Sequence, residues 1–141
     1  MISFFLPIKK NSKRVKNKNT KKINNFQFGL TEIKISQLKK FYNFVKKDNI
    51  LQKEKFEYIV SSDNEQIKKY IKKFPWIKFD LRPKKLAQDD CLEDLIEYVP
   101  KVCVGDIILW THVTSPLFNH LSYSRFIKNF LKNIKKKDSS F

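Results

Sequence analysis

The 141-residue sequence is poor in glycine and cysteine and contains no long apolar run. Two glycines are too few for the glycine-rich phosphate loops of P-loop or dinucleotide-binding proteins, and neither motif occurs. Two cysteines form neither a disulfide framework nor a metal-ligand spacing. No segment reaches the roughly 18 consecutive apolar residues of a membrane span, and the N-terminus is apolar before it is basic, the reverse of a secretory signal. We therefore expect one cytoplasmic domain without a membrane partner.

Acidic residues are also scarce, with 14 Asp and Glu against 30 Lys and Arg, a formal net charge of +16. Such a charge is typical of proteins that bind nucleic acid. Only three of the cations are arginine, the residue that binds phosphate and guanine through two donors at once. A coding sequence biased toward A and T also produces many lysines without selection for a nucleic-acid partner. No aromatic residue is interleaved with the lysines of residues 9–22. We therefore do not expect nucleic acid to be the partner. A basic nucleic-acid-binding protein is kept as the alternative function.

The apolar pattern predicts strands that alternate with helices. Strands are predicted at 2–6, closed by Pro7, and at 56–60, 77–81 and 107–110, the last of these central because it is apolar on both faces. The predicted helices are one capped by Thr31, one capped by Ser62 and ended by Pro75, one ended by Pro100, and one with a face formed by Phe126, Ile127, Phe130, Leu131 and Ile134. This order indicates an α/β fold, a Rossmann-like three-layer sandwich with a mainly parallel sheet. The domain is expected over residues 1–134, followed by a basic frayed tail at 135–141.

Polar segments follow all four predicted strands. These are the basic loop from residue 9 onwards, Ser61-Ser62-Asp63, Arg82-Pro83, and residues 112–116. Because parallel sheets bind ligands at the carboxyl ends of their strands, the four segments predict a site at one sheet edge.

The basic loop carries eight cations and no acidic residue between positions 9 and 22. A polyphosphate needs several cations and free backbone N–H groups in a concave loop. Lys9, Lys13 and Lys18 can supply the charge, and Asn11-Ser12 suits a tight turn. The loop therefore favours a triphosphate site, with a solvated lysine run as the alternative.

Four motifs resemble those of the acylneuraminate cytidylyltransferase family, in family order. Residues 7–19 are similar to its signature P-A-R-x-x-S-K-R-x-x-x-K-N, with Lys9 at the arginine position. Residues 60–67 resemble V-S-T-D-x-x-x-I, and residues 81–89 resemble L-R-P-x-x-L-A-x-D. Residues 112–117 resemble Q-P-T-S-P-L, with His112 in place of glutamine. The resemblance covers most of residues 2–118.

The resemblance implies a fold of the nucleotide-diphospho-sugar transferase type and a transfer of CMP from CTP, assisted by Mg²⁺. The acceptor would be the anomeric hydroxyl of a sialic-acid-type 2-keto sugar acid, with release of pyrophosphate. It implies catalytic roles for Lys9, Lys13 and Lys18, and acceptor binding by His112, Thr114 and Ser115. The residues implied to bind the nucleotide are Lys9, Asn11, Ser12, Lys13, Lys18, Asn19, Ser61, Asp63, Arg82 and Asp89.

Family members are substantially longer than this chain, which therefore resembles their N-terminal portion and is expected to be an incomplete domain. In the family the later part supplies acidic metal ligands and a dimerisation segment, which leaves the metal ligands unknown and a homodimer open. A catalytically inactive fragment with residual CTP affinity is an alternative. Simpler structural roles also stay open: helix caps for Ser61-Ser62-Asp63 and Asp89, a surface ion pair for Arg82, and a plain turn for residues 114–116.

Overall fold

The computed structural model describes residues 1–10, 15–88 and 91–138, with backbone only for 135–138. Its strands are β1 (Ile2–Ile8), β2 (Phe56–Ser62), β3 (Lys78–Leu81) and β4 (Ile107–Trp110). Its α-helices are α1 (Gly29–Val45), α2 (Glu65–Ile71), α3 (Leu92–Val102) and α4 (His120–Asp138), and short 3₁₀ turns lie at Leu51–Lys53 and Lys84–Ala87. The predicted alternation of strands and helices is confirmed.

The sheet is parallel throughout, with strand order β3-β2-β1-β4. Helices α1, α2 and α4 cover one face and α3 covers the other, which makes the predicted Rossmann-like three-layer α/β sandwich. The prediction of a central position for the last strand is wrong, because β4 is an edge strand of the described sheet and Ile108 is 37% exposed. Helices lie on both sides of the sheet, so a strand can be apolar on both faces whether it is at the centre or at the edge of the sheet.

Two hydrophobic cores flank β1, one of the two inner strands of the described sheet. The Phe4 ring lies 5.1 Å from Phe41 and 5.1 Å from Tyr58, in the larger core under α1, α2 and α4. Phe5 points the other way, into a smaller core with Ile59 and the buried face of α3. Burial of both rings removes a large apolar area from water, the dominant favourable contribution to folding.

β1 continues through Pro7 to Ile8, two residues beyond the prediction. The Ile2 N–H donates to Lys55 O on the β2 side, whereas Phe5 O accepts from the Thr111 N–H on the β4 side. Alternate residues face alternate neighbours, so the nitrogen of Pro7 faces the β4 side. Because β4 ends opposite Phe5, no ladder hydrogen bond is lost there.

Both predicted caps were misplaced. Thr31 lies inside α1, and its buried hydroxyl donates to Asn19 O at 2.7 Å, because the preceding loop packs on this turn. At α2 the cap is Asn64, whose Oδ1 accepts the Gln66 N–H at 2.9 Å. Ser62 ends β2 instead, and its Oγ accepts the Asn64 N–H.

The ends of the last two helices also differ from the prediction. α3 continues past Pro100 to Val102, since Val102 and Cys103 gain burial in the smaller core. α4 runs to Asp138, four residues past the expected domain boundary of 134. Its buried side chains include Tyr123 and Ile127, while the rings of Phe126 and Phe130 are 50% and 39% exposed. The predicted apolar face of α4 is thus only partly buried.

Gly29 allows the loop before α1 to pack closely on the helix start. Its φ is +52°, and a Cβ atom there would lie 2.0 Å from the backbone oxygen of Lys21. We expect Gly29→Ala to lower the free energy of unfolding by at least about 2 kcal/mol, because it adds left-handed strain to a backbone clash. Urea denaturation measures this loss. Ser36→Ala, at an exposed position of α1, is the control; equal stability of the two variants would contradict the expectation.

Candidate functional site

Hydrogen bonds join the loops that follow β1, β2 and β3. The Lys10 N–H donates to Asp63 Oδ1 at 3.0 Å. The Arg82 guanidinium donates from Nη2 to Ile8 O at 3.2 Å, and the Arg82 N–H donates to Ser62 O at 3.1 Å. Three of the four predicted polar segments therefore meet at the carboxyl edge of the sheet, where ligands of parallel sheets bind.

These loops border an open cleft of about 700 Å³, here called the central cleft. Lys10, Arg82 and Lys84 line it as cations, and Asp63 and Glu65 line it as carboxylates. The size lies within the range of small-molecule sites. A mixed set with more cations than carboxylates suits an anionic ligand that also carries a metal ion.

Arg82 is the least exposed charged group of the central cleft, with 2% of its surface accessible. Burial lowers its pKa, while the carboxylates of Asp63 and Asp80 oppose that shift by favouring the charged form. Its Nε is buried and has no hydrogen-bond partner in the described part of the chain. The predicted alternative of a surface ion pair does not fit this burial, and a buried donor without a partner favours a ligand acceptor.

Ser61 lies beneath the cleft and does not line it. It is fully buried, and its Oγ donates to Asp80 Oδ2 at 2.7 Å. The other carboxylate oxygen of Asp80 accepts the Tyr98 hydroxyl of α3 at 2.8 Å. The Ser61 side chain thus connects β2 to α3 through Asp80, and its predicted nucleotide contact stays a prediction.

The basic loop is tied to its surroundings by Asn19. Its Nδ2 donates to Lys9 O at 3.2 Å, and its backbone oxygen accepts the Thr31 hydroxyl. Asn19 thus shapes the loop while being almost fully buried. Lys9 is half-buried, whereas Lys18 is exposed and is not among the residues that line the central cleft.

Four predicted site residues, Asn11, Ser12, Lys13 and Asp89, lie outside the described residues. The structure adds Lys10 and Lys84 to the cleft, and neither was predicted. Nothing in their local sequence distinguishes them from the many other lysines. They differ from the other lysines only in the fold, which brings the ends of the strands together.

The predicted acceptor residues lie beside β4, at a separate cavity of about 260 Å³. His112 and Ser115 line it together with the aromatic rings of Trp110, Phe118 and Tyr123. Thr114 is exposed in the predicted turn, where the Ser115 N–H donates to His112 O at 3.3 Å, and it does not line this cavity. Among the residues for which the structure gives side chains, none lines both this cavity and the central cleft.

Lys34 holds the loop after β4 onto α1. It is fully buried, and its Nζ donates to Ser115 O at 2.8 Å, Phe118 O at 3.0 Å and the Tyr123 hydroxyl at 3.2 Å. All these partners are uncharged, and burial lowers the pKa of Lys34 to about 8. This role could not be predicted from the sequence, since a single lysine on a helix is normally solvated.

The chain is an α/β protein with a cleft, lined by more cations than carboxylates, at the carboxyl edge of a parallel sheet. Comparison with family models and with curated proteins found no match to the chain. In the described ranges no helix combines the length and apolarity needed to cross a membrane. The same ranges contain no group of three or more His, Cys, Asp or Glu side chains placed to hold a metal ion.

The lowered pKa of Lys34 predicts a specific dependence of stability on pH. Between about pH 8 and pH 10 the unfolded chain keeps a proton on Lys34 that the folded chain has released, so stability rises with pH. Tyr123, the titratable group that contacts Lys34, has a pKa raised by burial and stays protonated in this range. We expect the free energy of unfolding of the wild type, minus that of Lys34→Met, to increase by about 1–2 kcal/mol from pH 7.5 to 9.5.

Urea denaturation of both proteins across this pH range measures that difference. Subtracting the variant removes the contributions of all the other lysines and tyrosines. Parallel pH profiles for wild type and Lys34→Met would contradict the expectation.

Proposed function

We propose that the chain binds CTP in the central cleft and is a nucleotidyltransferase similar to the acylneuraminate cytidylyltransferases. It would transfer CMP from CTP to the anomeric hydroxyl of a sialic-acid-type 2-keto sugar acid. The observation that carries the proposal is the pair of hydrogen bonds, Lys10 N–H to Asp63 and Arg82 to Ile8 O, that joins three motif-bearing loops around one basic cleft. The proposal includes a cytoplasmic location, where CTP is available.

The charges of the cleft support a triphosphate ligand. Lys10 and Lys84 are exposed cations on its walls, and Arg82 offers a buried donor that lacks a partner. A triphosphate spreads its charge over many oxygens, so several separated cations match it better than one strong pair. In this arrangement the planar guanidinium of Arg82 can donate to a pyrimidine carbonyl, while the lysines contact phosphate oxygens.

Two carboxylates of the cleft fit the expected Mg²⁺. Asp63 and Glu65 both line it, and protein-bound Mg²⁺ commonly takes one or two carboxylates together with substrate phosphates and water. Asp63 Oδ1 already accepts the Lys10 N–H, which leaves Oδ2 for a cation. Bound Mg²⁺ would offset the negative charge of the phosphates.

In the proposed reaction the anomeric hydroxyl of the sugar gives its proton to water, and its oxygen forms a bond to the α-phosphorus of CTP. The bond between that phosphorus and the pyrophosphate oxygen breaks, and pyrophosphate leaves. The protein's contribution is to position the reactants and to neutralise charge. We assign the acceptor to the β4 side, near His112 and Ser115, which line the cavity next to that strand.

Nucleotide selectivity tests the proposal. Isothermal titration calorimetry with Mg²⁺ should show CTP binding at least about tenfold tighter than UTP or ATP, since an Arg82 donor that bonds the cytosine N3 acceptor would meet an N–H donor at the same position of uracil. Lys84→Gln should weaken CTP binding about fivefold or more, because it removes a cation from the cleft wall. Lys47→Gln, at an exposed position beyond the end of α1, removes the same charge and should change nothing. Equal affinity for all three nucleotides would contradict the proposal.

A pyrophosphate-release assay with CTP and a panel of 2-keto sugar acids tests the chemical step. Turnover above the no-sugar control, lost on omission of Mg²⁺, is the expected result. Selective CTP binding without turnover on any sugar would instead identify the alternative, a catalytically inactive relative of the cytidylyltransferases.

A further inference from the structure

A second cleft, of about 670 Å³, lies between the loop after β1 and helix α2. We call it the lysine–aromatic cleft, after its lining residues Lys16, Lys21, Lys69, Lys73, Phe28 and Tyr70. Its other lining side chains are uncharged polar groups, so no carboxylate of the described chain lines it. The cleft is therefore more strongly positive than the central cleft, which two carboxylates line.

The aromatic residues distinguish this surface from a solvated lysine run. The rings of Phe28 and Tyr70 stack with their centroids 4.2 Å apart and an interplanar angle of 20°. Both rings are half-buried and line the cleft, and Lys73 Nζ lies 5.8 Å from the centroid of the Tyr70 ring. Cations beside a stacked aromatic pair present a surface for planar, negatively charged ligands.

The fold holds these rings in place. The Phe28 N–H donates to Glu32 Oε2 at 2.9 Å at the start of α1, and Tyr70 packs edge-on against Phe74 with ring centroids 5.3 Å apart. Burial raises the pKa of Tyr70 to about 12, and the nearby Glu32 carboxylate adds to that shift. This carboxylate is engaged by the Phe28 N–H, and it is not among the residues that line the cleft.

The two clefts meet, because Asn17 and Gln66 line both of them. A ligand that follows this path passes from Lys73, just beyond α2, and Lys69 on α2 to Lys10 and Lys84 at the carboxyl edge of the sheet. A single nucleotide needs only one of the clefts. A continuous track of separated cations with one aromatic platform matches a chain of phosphates that carries unpaired bases.

We propose that the lysine–aromatic cleft binds single-stranded nucleic acid, with phosphates on its four lysines and a base stacked on the Phe28–Tyr70 pair. Such binding needs no base-specific hydrogen bonds, and so the small number of arginines in the sequence does not count against it. Duplex nucleic acid is a poorer ligand, because its bases are paired and cannot stack on the platform. The inference does not require CTP binding, since the four lysines and the aromatic pair that carry it line the lysine–aromatic cleft and not the central cleft.

Fluorescence anisotropy of labelled oligonucleotides, about 12 nucleotides long, tests the inference on the full chain. We expect a single strand to bind more tightly than a duplex of the same sequence, with affinity that falls steeply from about 50 to about 200 mM salt. Lys69→Gln/Lys73→Gln should weaken single-strand binding about tenfold and reduce the slope of log affinity against log salt by about 1 or more. Lys40→Gln/Lys47→Gln removes the same charge from exposed positions on and just beyond α1 and is the matched control.

Tyr70→Leu separates stacking from charge. It removes the aromatic ring without changing the charge, so single-strand affinity should fall about tenfold at an unchanged salt slope. Circular dichroism confirms folding, and the lysine variants at exposed positions keep the test valid if Tyr70→Leu is unstable. Equal losses in the cleft and control lysine variants would overturn the inference. Full affinity in a folded Tyr70→Leu protein, or duplex binding as tight as single-strand binding, would do the same.

The outcome is independent of the CTP experiment. CTP titration of Lys69→Gln/Lys73→Gln should give wild-type affinity, because neither lysine lines the central cleft. Loss of oligonucleotide binding with CTP binding retained supports the second site. If the chain binds single-stranded oligonucleotides selectively but does not bind CTP, the proposed function is ruled out and this inference is supported.

Discussion

The burial of β1 on both faces is the constraint on which the rest of the molecule depends. Phe4 and Phe5 point to opposite sides of the sheet, and neither has accessible surface. A strand so enclosed cannot shift its register without exposing one of the two rings. Its carboxyl end is therefore fixed, and the basic loop must leave the sheet next to Asp63 and Arg82. Packing in the core thus decides where the charged groups of the surface meet.

Arg82 connects this packing to the chemistry of the central cleft. Burying a guanidinium is unfavourable unless its donors are satisfied, and here the Ile8 carbonyl and the Asp63 and Asp80 charges offset part of the cost. The buried Nε has no partner in the described part of the chain, so the cost of burying this donor is not offset. A ligand acceptor in the cleft would remove it, so the same arrangement that strains the unliganded protein would strengthen binding.

The strands could be predicted from sequence because each is a short apolar run between polar segments, and the parallel order follows from the helices between them. Features that depend on contacts between residues far apart in the sequence could not be predicted. Pro7 stays in β1 only because β4 ends opposite Phe5, and Thr31 lies inside α1 because Asn19 accepts its hydroxyl. The motifs singled out Asp63 and Arg82, and both line the central cleft. Lys10 and Lys84 could not be distinguished from other lysines. Their neighbours in the sequence do not indicate which strand ends come together in the fold.

The lysines show why net charge is a weak guide to function in this chain. Lys34 is buried among neutral oxygens, Lys128 pairs with Asp48, and Lys10 borders a cleft with two carboxylates. A biased composition can supply all of them, but it does not place four lysines around a stacked pair of aromatic rings. Phe28 and Tyr70 are far apart in sequence and meet only in the fold. The proposed single-strand site therefore rests on one cleft that four lysines and a stacked pair of rings line together, and not on the number of lysines in the chain.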